Sequence, residues 1–316
     1  MSSYRSALPQ LQGGWFLTDG GLETTMIFLE KLDLPEFASF VLLSTPTGIT
    51  ALQRYFRGYA DLAVRHRAGL ILESATWRAN ADWGAKLGYD AAGLADVNRK
   101  AVQLLSDLRQ EYSYRGLPMV VSGCLGPRGD GYRPELLMSA EESQRYHQAQ
   151  VDVLASTDAD MISAFTMNYC EEALGIVCAA HNARIPVVIS FTVETDGRLA
   201  TGQSLHSAIE QIDAITAGYP SYYMINCAHP RHFAPICSEG GAWLKRIRGL
   251  RANASIKSHA ELNECTELDI GSPVELADEH QALVKKLPHI NVLGGCCGTD
   301  QRHIEAIADA CLIKPD

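Results

Sequence analysis

Short runs rich in β-branched and aromatic residues alternate with longer segments of helical periodicity, and the alternation persists along the whole chain. Strand patterns fall at 15–18, 69–76, 118–123, 160–165, 186–193, 221–227, 251–255 and 290–295. Helical periodicity fills segments such as 48–67, 91–114, 140–156 and 273–287 between them. Parallel strands need crossovers of a dozen or more residues, so this pattern predicts βα units around a parallel sheet. Eight strands with eight helices in 316 residues fit an α/β fold of the (β/α)8 barrel type better than an open doubly wound sheet, the runner-up. The open sheet lacks its usual mark, because Asp19-Gly20-Gly21-Leu22-Glu23 does not have the spacing of a dinucleotide-binding loop. No linker or shift of composition divides the chain. One barrel domain is therefore expected over 1–316, with 1–13 as a short N-terminal extension.

Charge and thiol content narrow the function. Lys and Arg total 27 against 37 Asp and Glu, a formal charge of −10, and the isoelectric point near 5.5 disfavours phosphate backbones and anionic membranes. The first residues contain no continuous apolar run of the secretory kind. The uncharged stretch 214–230 is interrupted by Gly218, Pro220, Asn226 and His229, which suits a lipid-spanning helix poorly. A cytoplasmic protein is expected, with neither nucleic acid nor membrane as partner and with homo-oligomerisation left open. Nine cysteines, an odd number, then read as reduced thiols kept for packing, metal binding or catalysis.

In a barrel, chemistry gathers at the C-terminal ends of the strands. The sixth strand ends in Ile225-Asn226-Cys227-Ala228-His229-Pro230, and the eighth runs into Gly294-Gly295-Cys296-Cys297-Gly298-Thr299. Only one strand separates them, so Cys227, Cys296 and Cys297 share a rim within reach of a single ion. Thiolates suit zinc, and three protein ligands leave the fourth tetrahedral position open, as catalytic sites require. Spacing alone also leaves open simple packing, or a redox-active disulfide between the adjacent cysteines. The flanking Gly294, Gly295 and Gly298 favour the metal, since a backbone that bends can aim both side chains at one point.

The segments DGGLETTM at Asp19, SGCLGP at Ser122, INCAHP at Ile225, RANAS at Arg251 and GGCCGTD at Gly294 together resemble the zinc-dependent homocysteine S-methyltransferase family. The resemblance runs over about 15–311. It implies a (β/α)8 barrel with zinc on Cys227, Cys296 and Cys297, and no catalytic residue beyond these ligands. The implied reaction moves a methyl group from a sulfonium or ammonium donor, such as S-methylmethionine, S-adenosylmethionine or betaine, to homocysteine, giving methionine and placing the chain in methionine biosynthesis. A free thiol of pKa about 8.5 is mostly protonated at neutral pH, and coordination favours the thiolate. Three protein thiolates on a divalent ion leave an excess negative charge that keeps a bound acceptor sulfur nucleophilic.

A cationic donor leaves as a neutral molecule, and aromatic faces hold such cations. Trp77, Tyr132 and Tyr169 follow strands two, three and four and are candidates, although each could equally pack against a helix. For the acceptor, Asp19 could receive the amino group and the amides of Gly20 and Gly21 the carboxylate, with Thr166 and Asn226 nearby. Asn253 is read as orienting a loop, and His229, His232 and His303 as ordinary packed or surface histidines. Glu73 stands in an apolar run and needs a partner if buried.

One departure from the family matters. The family's glutamate after strand four, which binds the substrate amino group, is missing from Ser163-Ala164-Phe165-Thr166-Met167-Asn168-Tyr169. Either Thr166 or Asn168 takes a neutral role or Glu194 supplies the charge. The alternatives are a different thiol or selenol acceptor, a zinc hydrolase, or a non-catalytic thiol-binding or redox-sensing protein.

Overall fold

The computed structural model describes residues 2–134, 136–238 and 240–312, so both ends of the expected 1–316 domain lie outside the described part. Eight parallel strands close into a barrel in chain order: β1 (Phe16–Leu17), β2 (Gly69–Glu73), β3 (Met119–Leu125), β4 (Met161–Met167), β5 (Val187–Phe191), β6 (Tyr222–Asn226), β7 (Ile247–Ala252) and β8 (Val292–Gly295). Closure rests on β1, whose Phe16 pairs with Gly69 of β2 on one side and Val292 of β8 on the other. The edges of an open sheet are thereby removed, and the expected (β/α)8 class is the one observed.

Seven long helices wrap the described barrel: α1 (Pro46–His66), α2 (Ala91–Glu111), α3 (Ala140–Ala155), α4 (Cys170–Ala183), α5 (Leu205–Thr216), α6 (Pro273–Lys286) and α7 (Gln301–Cys311). Their starts are written locally. Thr45 accepts a hydrogen bond from the Gly48 amide at 3.1 Å with Pro46 beside it, and Ser139 with Glu142 forms a reciprocal capping box at α3. Along α1, Leu52, Tyr55, Phe56, Tyr59 and Ala63 recur at helical spacing and bury one stripe against the barrel.

Two expectations are corrected. Between β6 and β7 the described residues carry only a short helix, Pro230–Phe233, and 3-10 turns at Ile236–Ser238 and Ala242–Arg246, so no eighth long crossover helix forms there. In addition, β7 begins at Ile247 rather than at 251. Arg248, Gly249 and Arg251 disguise it as a surface loop, yet Gly249 is small because the Met224 side chain packs where its Cβ would stand. The shift turns Arg251 from a strand start into an inward-facing residue near the strand's C-terminal end.

Phe16, Ile71, Val120, Met161, Val188 and Tyr222 fill the barrel interior. The segment ahead of β1 seals the N-terminal end: Leu8 joins that interior cluster, and buried Gln10 accepts a 2.9 Å hydrogen bond from Asn291 Nδ2 at its carbonyl. The opposite end stays open. Among the described residues no helix is long and apolar enough to cross a membrane.

Candidate active site

Above the apolar layers the inward positions turn polar. Ser122 and Ser163 share a 2.8 Å hydrogen bond, Ser163 donates to Glu73 Oε1 at 3.0 Å, and Ser190 donates to Asn226 Oδ1 at 2.6 Å. Glu73 and Asn226 of this layer line a cavity of about 400 Å³ at the C-terminal rim. Its walls include Asp19, Glu73, Trp77, Tyr132, Arg251 and all three cysteines of the sequence pattern.

The backbone is bent where it delivers those cysteines. Thr166 and Cys227 adopt left-handed φ values of 62° and 53°, a conformation that costs a non-glycine residue on the order of 1–3 kcal/mol and persists only when its surroundings enforce it. Asn226 does this for Thr166, accepting its N–H at Oδ1 and donating from Nδ2 to its Oγ1, both at 3.0 Å. The Cys227 carbonyl accepts from Asn253 Nδ2 at 3.0 Å and from His259 Nε2 at 2.7 Å. Gly294 and Gly295, expected as bending points, instead remain in β8. They are glycines because the side chains of Thr18 and Thr299 occupy the space a Cβ would need. Only Gly298, at φ 79°, is left-handed.

The sulfurs of Cys227, Cys296 and Cys297 lie within 4.8 Å of one another, and among the described residues they form the one cluster that could hold a metal ion. Cys227 and Cys296 are in disulfide contact with Cα atoms 5.4 Å apart, a correction to the expectation that every cysteine stays a free thiol. That contact joins β6 to β8 rather than the adjacent pair. Each sulfur also faces one neutral hydrogen-bond donor: Thr166 Oγ1 is 3.8 Å from Cys227 Sγ, Asn226 Nδ2 is 4.0 Å from Cys296 Sγ, and Tyr132 Oη is 3.8 Å from Cys297 Sγ. Burial pushes the Cys297 thiol up to about 11, so it ionises at neutral pH only beside a cation. Once the Cys227–Cys296 contact is reduced, three soft thiolate ligands with neutral partners and no competing carboxylate in the cluster fit zinc.

The other expected residues divide. Asp19, Gly20, Thr166, Asn226, Trp77 and Tyr132 all line the cavity. Asp19, however, already binds Arg251 Nη2 at 2.6 Å through Oδ1 and Tyr55 Oη at 3.0 Å through Oδ2. Gly21 lines the wall too, but its amide donates to the Thr299 carbonyl at 3.0 Å and is not free for a substrate carboxylate. Glu194 does not line the cavity. Its Oε1 sits 3.0 Å from His259 Nδ1, behind the Cys227 turn, because β5 ends before it and the chain turns away from the barrel mouth. Tyr169 is likewise outside the wall, its hydroxyl accepting from the Met138 amide at 3.2 Å. Tyr132 stacks on the His259 ring at 4.0 Å, so one of its faces is covered.

Arg251, Phe165 and His259 were not expected at the site. The Arg251 guanidinium lies 4.7 Å from the Phe165 ring centroid, beside the uncharged end of β4. A lone arginine within an apolar run at 250–252 was the available signal. His259 belongs to a short helix without a distinctive motif, and nothing in the sequence pointed to it.

Known proteins can now be set beside this geometry. The family model for homocysteine S-methyltransferase matches residues 16–311. The chain belongs to the homocysteine S-methyltransferase family. A selenocysteine Se-methyltransferase of Brassica oleracea var. italica is 25% identical over 328 residues, covering 93% of this chain and 88% of that protein. Homocysteine S-methyltransferase 2 of Arabidopsis thaliana is 23% identical over 329 residues, covering 93% and 92%. The barrel is also similar to crystal structures of the homocysteine methyltransferase MmuM from Escherichia coli. Its oxidized form gives a TM-score of 0.74 at 22% identity with 93% and 95% coverage. The metallated form gives 0.73 at 20% identity with 95% and 98%. At such identities the structural likeness is one of fold, and membership of the homocysteine S-methyltransferase family rests on the sequence match.

Proposed function

We propose that this chain is a zinc-dependent S-methyltransferase that moves a methyl group from a sulfonium or quaternary ammonium donor to the thiol of homocysteine, giving methionine. The observation that carries this reading is the convergence of three sulfurs, each with its own neutral hydrogen-bond donor, on a substrate-sized cavity. Cys227, Cys296 and Cys297 would hold the ion. Zinc bound there would keep the acceptor sulfur as a thiolate at neutral pH. The existence of a metallated form of MmuM supports a metal in this fold.

The chain's own residues supply the rest. Tyr132, Thr166 and Asn226 orient the three sulfurs and temper their negative charge. Asp19, Glu23, Glu73, Asp130, Glu267 and Asp269 outnumber Arg78 and Arg251 among the charged groups around the cavity and favour a cationic donor. Trp77 and Tyr132 offer it aromatic faces. In the displacement a lone pair of the acceptor sulfur forms the new bond to the methyl carbon. The electron pair of the breaking bond stays with the donor, which leaves neutral, and the thiol proton passes to solvent. Small-molecule thiol and donor are the only partners this chemistry needs, and a reducing cytoplasm suits its thiols.

The likeness to a selenocysteine Se-methyltransferase favours one second reading, a selenol acceptor. Anaerobic incubation of zinc-loaded protein with homocysteine or selenocysteine and with S-methylmethionine, S-adenosylmethionine or betaine, read by mass spectrometry, tests both. Methionine formed with at least one donor is expected. The absence of methylated product from every combination would overturn the proposal.

A further inference from the structure

The cavity that holds the cysteines also holds a carboxylate with half of its hydrogen bonding unmet. Glu73 closes β2, points inward and is 5% exposed. Its Oε1 accepts from Ser163 Oγ at 3.0 Å, while Oε2 is buried with no partner among the described residues. A buried acceptor without a donor carries its full desolvation penalty, which a donor arriving in the cavity would relieve. The neighbouring charges do not provide it. Arg251 pairs with Asp19 at 2.6 Å and reaches Glu73 only through its charge, with no hydrogen bond between them.

We propose that Glu73 binds the ammonium group of an amino-acid acceptor, so that the charge lost after β4 is supplied from β2 across the barrel floor. This deepens, and rests on, the reading of the cavity as a thiol-acceptor site. The places where such a charge was expected are otherwise occupied. Phe165 packs under Arg251 and Thr166 is bound to Asn226, while Asn168, whose Nδ2 donates to the carbonyls of Asp130 and Gly131 at 3.0 and 2.9 Å, and Glu194, which faces His259, both lie outside the cavity wall. Ser163 bridges the two sides, since it sits on β4 and donates to Glu73 on β2. An arriving ammonium carries three donors and a full charge, and would satisfy Oε2 directly. Burial pushes the Glu73 carboxyl up to about 7, against opposing pulls from Arg251 and the two serines. A cation at Oε2 would draw it back to the ionised form.

The test uses a ligand pair that needs neither a free thiol nor methyl transfer. Calorimetric binding of methionine and of its des-amino analogue is measured for the wild-type chain and for Glu73→Gln, which keeps the shape and removes the charge. The wild type should prefer methionine by about 10- to 100-fold, the range of one charge-assisted hydrogen bond. Glu73→Gln should reduce that preference to within about threefold by weakening methionine alone. A preference that survives in Glu73→Gln overturns the proposal. Equal binding of the two ligands by the wild type overturns it without any variant. Because methyl transfer is not read here, a protein that discriminates through Glu73 but methylates no thiol would retain the ammonium site and lose the proposed reaction. One that methylates thiols without this discrimination would do the reverse.

Discussion

The two walls of the cavity are built on different terms. The wall from β6 to β8 carries Cys227, Cys296 and Cys297 on short motifs at the ends of two strands. The opposite wall, from β2 to β4, is built otherwise: β4 contributes the uncharged Phe165 and Thr166, and the acid is Glu73 on β2. A metal centre tolerates little change, because ligand number and distance are fixed by the ion. Recognition of an ammonium group asks only for a carboxylate within reach, and several strands of a barrel can supply one. A geometrically strict thiol cluster and a more loosely specified acid can therefore share one cavity.

The comparison breaks most sharply if the thiol wall is not essential. Cys297→Ser should lower methyl transfer by more than the roughly 10- to 100-fold that loss of an outer-shell partner costs a metal site, measured as kcat/KM with homocysteine under anaerobic conditions. A loss below tenfold would place Cys297 outside the reacting centre.

The second wall sharpens it through pH. Glu73 ionises near 7 in the folded chain and near 4.5 when unfolded, so the native state binds more protons between those values and stability falls as pH rises through that window. Above it the full penalty is present. Asp19 adds to that upward shift, while Arg251, Ser122 and Ser163 oppose it. In the absence of ligand, Glu73→Gln should therefore gain on the wild type by about 3 kcal/mol between pH 4 and pH 8, followed by denaturant unfolding at each pH. An unchanged difference across that range would show that Glu73 has an ordinary carboxyl.

Smaller effects separate residues that touch the cavity from those that do not. Tyr132→Phe removes the hydroxyl 3.8 Å from Cys297 Sγ and should weaken zinc by about tenfold, read by competition with a chelator. Glu194→Gln, whose carboxylate faces His259 outside the cavity, should change the KM for homocysteine by less than about threefold. A tenfold rise would restore Glu194 as an acceptor anchor.

The same division explains what the sequence could tell. The strands were readable because apolar β-branched runs stand out wherever both faces of a strand are buried, as in Val187–Phe191. Only β7 was displaced, since Arg248, Gly249 and Arg251 interrupt its pattern for reasons that lie in the packing of Met224 and in the ion pair to Asp19. The thiol wall was legible because all three cysteines sit within a few residues of strand ends. The acceptor wall was not. Whether an acid such as Glu194 or Glu73 meets the cavity depends on where its strand ends and which way the next residue turns. No local motif records that.

The central claim is that three cysteines from β6 and β8 hold one zinc ion in the cavity. Metal analysis of protein purified under reducing conditions, with the wild type beside Cys227→Ala and Cys296→Ala, tests it most directly. The account predicts about one zinc per wild-type chain and little in either variant, because two thiolates cannot replace three at this site. Equal zinc in all three proteins, or a wild type that takes up none when zinc is supplied to the reduced protein, would contradict it.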